Sequence, residues 1–139
     1  MPTPEPAESG LPPASWAGVN VDLPRLVAAA ADLCRKPLRH AVVPLGEGSG
    51  GDQCLRIEAR GPEGERQPLE DLELELYRSG ADLNLTLAWA ARESRPMLWQ
   101  GSHPVWMDGT TGVRCERPPE GAPLEALARR LRALLSPDR

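Results

Sequence analysis

Residues 72–89 read LELELYRSGADLNLTLAW, two alternating runs joined at Gly80-Ala81. Leu72, Leu74 and Leu76 hold even positions in the first run, and Leu83, Leu85, Leu87 and Trp89 hold odd positions in the second. Successive strand side chains point to opposite faces, so the two apolar sets share a face only if the connecting loop holds an even number of residues. A two-residue Gly80-Ala81 loop meets that condition, with glycine first as a type II′ turn prefers. This register sets Leu76 opposite Leu85, Leu74 opposite Leu87 and Leu72 opposite Trp89. Glu75 then faces Thr86, and Tyr77 faces Asn84, on the other side. A slip of one residue would turn the leucines to water, so the stretch predicts an antiparallel hairpin with one buried face.

Strand patterns continue on both sides of the hairpin. Cys54–Arg60 alternates, with Leu55, Ile57 and Ala59 on one face and Arg56, Glu58 and Arg60 on the other. His40–Val43 is a short apolar strand, followed by a glycine-rich loop that begins at Leu45. Downstream, Met97–Gln100 and Val105–Met107 read as strands, and Asp108–Gly112 turns the chain into an edge strand at Val113–Cys115.

Cover for the apolar face comes from two amphipathic helices. Asp22 is placed to cap a helix beginning at Leu23, with Pro24 in its first turn, where a missing N–H costs little. Leu23, Leu26, Val27, Ala30, Leu33 and Cys34 form its apolar stripe, Arg35 and Lys36 complement its negative end, and Pro37 stops it. The second helix, Pro123–Leu135, places Leu124, Leu127, Ala128, Leu131, Leu134 and Leu135 on one face, and Glu125 and Arg129 stand four residues apart in the favourable order. The expected fold is therefore α+β, an antiparallel meander of about five to seven strands flanked by an N-terminal and a C-terminal amphipathic helix. The expected organisation is a flexible, proline-rich tail over 1–20, a single α+β domain over 21–136 and a short end at 137–139.

Composition excludes several functional classes. A chain of 139 residues has room for one core and needs no disulfide or metal staple. The net charge of −4 opposes an extended nucleic-acid surface, which requires a concentrated positive field. Cys34, Cys54 and Cys115 are odd in number and far apart, which reads as free thiols in a reducing, cytoplasmic compartment. The N-terminal stretch lacks the charged and apolar regions of a secretory signal, and the longest apolar run is too short to span a bilayer.

Candidate chemistry is sparse. Residues 46–51, GEGSGG, match the letters of a dinucleotide fingerprint, but a strand follows where a helix should open. His40 and His103 are the only histidines, and no HExxH-type spacing points to a metal. The run Glu70, Asp71, Glu73, Glu75 reads as an exposed, solubilising surface, and Arg129, Arg130, Arg132 and Arg139 make the last helix locally basic. No cofactor is expected. The chain has no phenylalanine, so tryptophan and leucine supply the bulk. Trp89 continues the leucine face of the hairpin and belongs to the core, whereas Trp16, Trp99, His103 and Trp106 are the candidate binding residues, the last three within WQGSHPVWMD.

These features point to a small soluble non-enzymatic domain that acts by protein–protein contact, as an assembly factor, adaptor or chaperone-like subunit. The helix–sheet–helix plan in a small acidic chain resembles small secretion-chaperone-like domains in architecture, and that likeness implies dimerisation through a helix or an edge strand. The alternative is a small-molecule-binding domain or enzyme whose pocket lies between sheet and helices, lined by Trp99, Trp106, His103 and Arg78.

Overall fold

The computed structural model describes residues 22–47 and 52–136. The expected tail over 1–20, with Trp16, and the end at 137–139 lie outside the described residues. Helix α1 (Leu23–Cys34) leads into seven strands: β1 (Arg39–Glu47), β2 (Gln53–Arg60), β3 (Leu72–Ser79), β4 (Asp82–Trp89), β5 (Met97–Gln100), β6 (Pro104–Met107) and β7 (Arg114–Cys115). Helix α2 (Ala122–Leu135) follows them. The strands form one antiparallel sheet in sequence order, so the fold is an α+β meander.

The β3–β4 register is the one dictated by the alternation. Leu72 pairs with Trp89, Leu74 with Leu87, Leu76 with Leu85 and Tyr77 with Asn84, and Ser79 and Asp82 close a two-residue loop. Gly80 adopts φ +66°, a conformation that glycine reaches without the Cβ clash of other residues. Pairing then propagates the two faces in both directions. Ile57 and Leu55 join Leu72 and Leu74 from β2, and Leu98 and Trp106 join Leu87 from β5 and β6. These side chains form a single core with Val27, Ala30 and Ala31 of α1 and Leu124, Leu127, Ala128, Leu131 and Leu135 of α2. Both helices thus lie on the same side of the sheet. The small alanines of α1 permit that close approach, and the Asp22 carboxylate caps the helix by accepting from the Arg25 backbone N–H at 3.3 Å.

Several expectations are corrected. Strand β1 extends to Glu47 instead of ending before Leu45, because a bulge between Pro44 and Gly46 accommodates an extra residue and restores pairing with β2. The proline costs no sheet hydrogen bond on that outer strand. The segment that follows the glycine-rich stretch is strand β2, antiparallel to β1, as the sequence pattern predicts and as a dinucleotide site would not have it.

Leu33 and Leu134, assigned by periodicity to buried helix faces, are 49% and 46% exposed. Each lies at the flank of its helix, away from the sheet, where the stripe outruns the width of the core. Glu125 does not pair with Arg129. Its carboxylate accepts from Trp106 Nε1 at 2.6 Å and from Arg117 at 3.2 Å, because α2 turns it toward β6.

The acidic run is not uniformly a solvent-facing surface. Asp71 is buried, accepting from the Ala59 backbone N–H at 2.8 Å and from Arg66 through both carboxylate oxygens. Burial raises the Asp71 pKa, but the hydrogen bonds from Arg66 and Ala59 outweigh it and hold the carboxyl below its ordinary value. Asp71 therefore fastens the 61–70 connection to the start of β3.

Candidate interaction site on the open sheet face

The face opposite the helices carries Val43 and Leu45 from β1, Cys54 and Arg56 from β2, and Glu73, Glu75 and Tyr77 from β3. Asn84 and Thr86 of β4, Met97 and Trp99 of β5, and Val105 and Met107 of β6 complete it. Trp99 lies opposite Thr86, but its ring reaches across β4 and donates from Nε1 to the Tyr77 hydroxyl at 2.6 Å. Asn84, opposite Tyr77 on the strand being crossed, is buried as a result. The far edge of the indole lies over Gly101, where any Cβ would collide with the ring. Burial pushes the Tyr77 phenol up, and the Trp99 hydrogen bond only partly opposes that shift, so the hydroxyl keeps its proton.

Next to this aromatic pair is a shallow depression of about 130 Å³ lined by Leu45, Cys54, Glu73, Leu74, Glu75 and Thr86. Small-molecule sites are usually several hundred Å³, so this hollow suits a single side chain better than a ligand. Its thiol is not activated for attack. Burial and then the Glu75, Asp52 and Glu73 charges raise the Cys54 thiol, which disfavours the reactive thiolate. Burial also raises Glu75, reinforced by a hydrogen bond and repulsion from Asp52.

The predicted site residues do not converge. Trp106 faces the helices and is 4% exposed, while Trp99 faces the other way and is half-buried. Their opposite placement follows from register: Leu98 pairs with Trp106 and Trp99 with Val105, so alternate residues of β5 and β6 fall on alternate faces. His103 is exposed in the β5–β6 turn. Trp16 lies outside the described residues. Among the described residues, no group of three or more histidine, cysteine, aspartate or glutamate side chains is placed to hold a metal ion.

A polar network that the sequence did not reveal joins α1 to the sheet. His40 Nδ1 lies 3.0 Å from Asp32, His40 Nε2 lies 3.2 Å from Arg35, and Arg35 also donates to the Glu70 carboxylate and backbone carbonyl. The His40 side chain is 0% exposed and that of Arg35 is 5% exposed. Burial lowers the His40 pKa, and the adjacent Arg35 charge adds to this against the opposing Asp32 hydrogen bond. The neutral imidazole donates from Nδ1 to Asp32 and accepts at Nε2 from Arg35. An Asp–His pair invites comparison with a catalytic relay, but Nε2, the atom that would meet a substrate, is occupied by a guanidinium. The network is a structural clamp. The nearby cleft of about 180 Å³, bordered by Arg35, Glu70, Trp89 and Glu120, is likewise ringed by groups already engaged: Glu70 with Arg35 and Arg92, and Glu120 with Arg95. Arg95 in turn stacks over the Trp89 ring, 4.4 Å from its centroid.

A family model described as a domain of unknown function, DUF8659, matches residues 24–134. The chain belongs to that family. The DUF8659 match begins inside the first turn of α1 and ends in the last turn of α2, so it takes in all seven strands, the Trp99–Tyr77 pair and the His40 network. No curated protein and no solved structure matches the chain. For this DUF8659 domain the site geometry therefore carries the functional argument. The Trp99–Tyr77 pair was only half within reach of the sequence: alternation puts Tyr77 on the outward face of β3, but MLWQ in β5 has an apolar residue at every position but Gln100 and gives Trp99 no face. Placing them together required the β4–β5 register, which no turn signature specifies. The His40 network had no local signal, because Asp32, Arg35, His40 and Glu70 come from a helix, its exit, a strand and a connection.

Proposed function

We propose that this domain acts by protein–protein contact, as an assembly factor, adaptor or chaperone-like subunit, and that the partner covers the open face of the sheet around Trp99. The observation that carries this reading is the asymmetry of the sheet: both helices pack on one face, and the other presents exposed Val43 and Leu45 with half-buried Met97, Trp99, Val105 and Met107. An aromatic anchor held by a neighbour's hydroxyl has little rotamer freedom to lose on binding, which is a property of effective interface residues. The adjoining hollow offers a seat for one partner side chain. The reading is of a non-catalytic protein, and it is supported by Cys54 being held as the thiol and by both nitrogens of His40 being engaged by Asp32 and Arg35.

Action in the cytoplasm belongs to the same proposal. Its support is that all three cysteines are free thiols, the state a reducing compartment maintains. No helix among the described residues is long and apolar enough to cross a membrane.

The test is affinity capture from the source cell with the wild-type chain and a Trp99→Ala variant. A specific protein retained by the wild type and lost by the variant, with the variant still folded, is the expected result. Equal retention by both, or no specific protein with either, would overturn the reading.

A further inference from the structure

A second surface lies on the far side of the molecule, where α1 and α2 pack against each other. Two adjoining depressions of about 400 Å³ and about 270 Å³ share Arg130 and Leu134 and together form a groove along the helix pair. Its floor is built from small side chains, Ala29 and Ala30 of α1 and Ala126 and Ala133 of α2, and Leu33 and Leu134 stand half-exposed along it. Arg129 and Arg130 form its charged rim.

Those two arginines differ from most others in the chain. Arg25, Arg35, Arg39, Arg56, Arg60, Arg66, Arg92, Arg95 and Arg117 each lie within ion-pair distance of a carboxylate. Among the described residues, Arg129 and Arg130 have no such partner, although both are exposed beside an apolar trough. Arg132 also lacks a carboxylate but donates to the Leu83 carbonyl, and Arg114 lies apart on β7; Arg129 and Arg130 are two adjacent cations beside an apolar trough, which marks a surface complementary to negative charge.

We propose that the α1–α2 groove binds an acidic amphipathic helix of a protein partner, which packs its apolar side between Leu33 and Leu134 and sets carboxylates against Arg129 and Arg130. The alanine floor favours a helix, since small side chains let a third helix approach closely and seat its ridge between the other two. The length of the trough agrees. Its lining runs from Leu26 to Cys34 on α1 and from Ala126 to Leu134 on α2, roughly 12 Å, which accommodates a little over two turns and so anchors at i, i+3, i+4 and i+7. A second copy docked symmetrically through the same groove would bring its own arginines against these, so charge argues against self-pairing there.

The probe is a synthetic helical peptide of about four turns with leucines at those anchor spacings and glutamates on its flanks, compared with the same peptide carrying lysines. Cys34 lines the groove and reports occupancy. On a Cys54→Ser, Cys115→Ser background, the acidic peptide is expected to slow Cys34 alkylation in a saturable manner, and the basic peptide to leave it unchanged. Arg129→Glu with Arg130→Glu should weaken the acidic peptide by on the order of tenfold or more. Arg114→Glu, a charge reversal on β7 remote from the groove, should not weaken it. Equal protection by the two peptides, no protection by either, or equal weakening by the groove and β7 reversals would overturn the proposal. All three reversed positions are exposed, and an unchanged circular dichroism spectrum confirms that the variants fold.

Discussion

Trp99 and Trp106 sit on adjacent strands and meet opposite fates. Trp106 lies under α2, with its indole N–H donated to Glu125, and belongs to the core. Trp99 lies on the open face, with its N–H donated to Tyr77, and retains an accessible ring surface. Both indoles satisfy their polar atom, so hydrogen bonding does not separate them. The difference is the side of the sheet each ring takes: the side covered by the helices for Trp106 and the open side for Trp99. A tryptophan in a strand thus becomes scaffold or surface through strand parity and the placement of the helices.

Truncation should separate the two faces most clearly. Trp106→Ala removes a buried ring beneath α2 and is expected to cost about 3–5 kcal/mol of unfolding free energy, measured by urea denaturation. Trp99→Ala should cost markedly less, and similar losses for the two would mean that the open face is as structural as the covered one.

A pH titration probes the covered side further. Because the folded-state pKa of His40 lies below the ordinary imidazole value of 6.5, the unfolded chain binds the extra proton first as acid is added. The stability associated with the neutral imidazole is therefore complete above about pH 6.5 and falls as the pH drops below it, toward the folded-state pKa. Asp32, Arg35 and Arg39 are the charged groups facing the ring. His40→Gln should flatten the slope of stability between about pH 7 and pH 5, and an unchanged slope would remove His40 as its source.

The smallest effect is expected on the open face. Gly101→Ala forces the Trp99 ring off the strand and breaks its bond to Tyr77, for a loss of about 1 kcal/mol. A change in near-ultraviolet circular dichroism or tryptophan emission should accompany it, and an unaltered signal would mean that the ring does not depend on that glycine.

Much of the architecture was legible in the chain. The parity of the leucines around Gly80-Ala81 allowed one hairpin register, and the pairing of Leu72 with Trp89 follows it. The periodic stripes also located both helices, because each apolar side chain must find the same core. The flanks of those stripes were not legible: Leu33 and Leu134 fit the period yet remain half-exposed, since periodicity gives a direction around a helix but not the width of the core it meets. Nor did the acidic run disclose that Asp71 turns inward to cap the Ala59 N–H, which depends on β2 and β3 being neighbours.

Taken alone, the sequence determined the alternation, the hairpin register, the helix cap at Asp22 and the division of β2, β3 and β4 into an apolar and a polar side. These are local properties, governed by backbone geometry over a few residues. Only the tertiary structure decided that α1 and α2 also pack against each other over that face, that His40 is locked between Asp32 and Arg35, and that Trp99 reaches Tyr77 across an intervening strand. Those outcomes depend on contacts between segments distant in the chain, which core packing brings together and no local pattern encodes. The open face around Trp99 and the arginine-rimmed groove between α1 and α2 are both consequences of that arrangement.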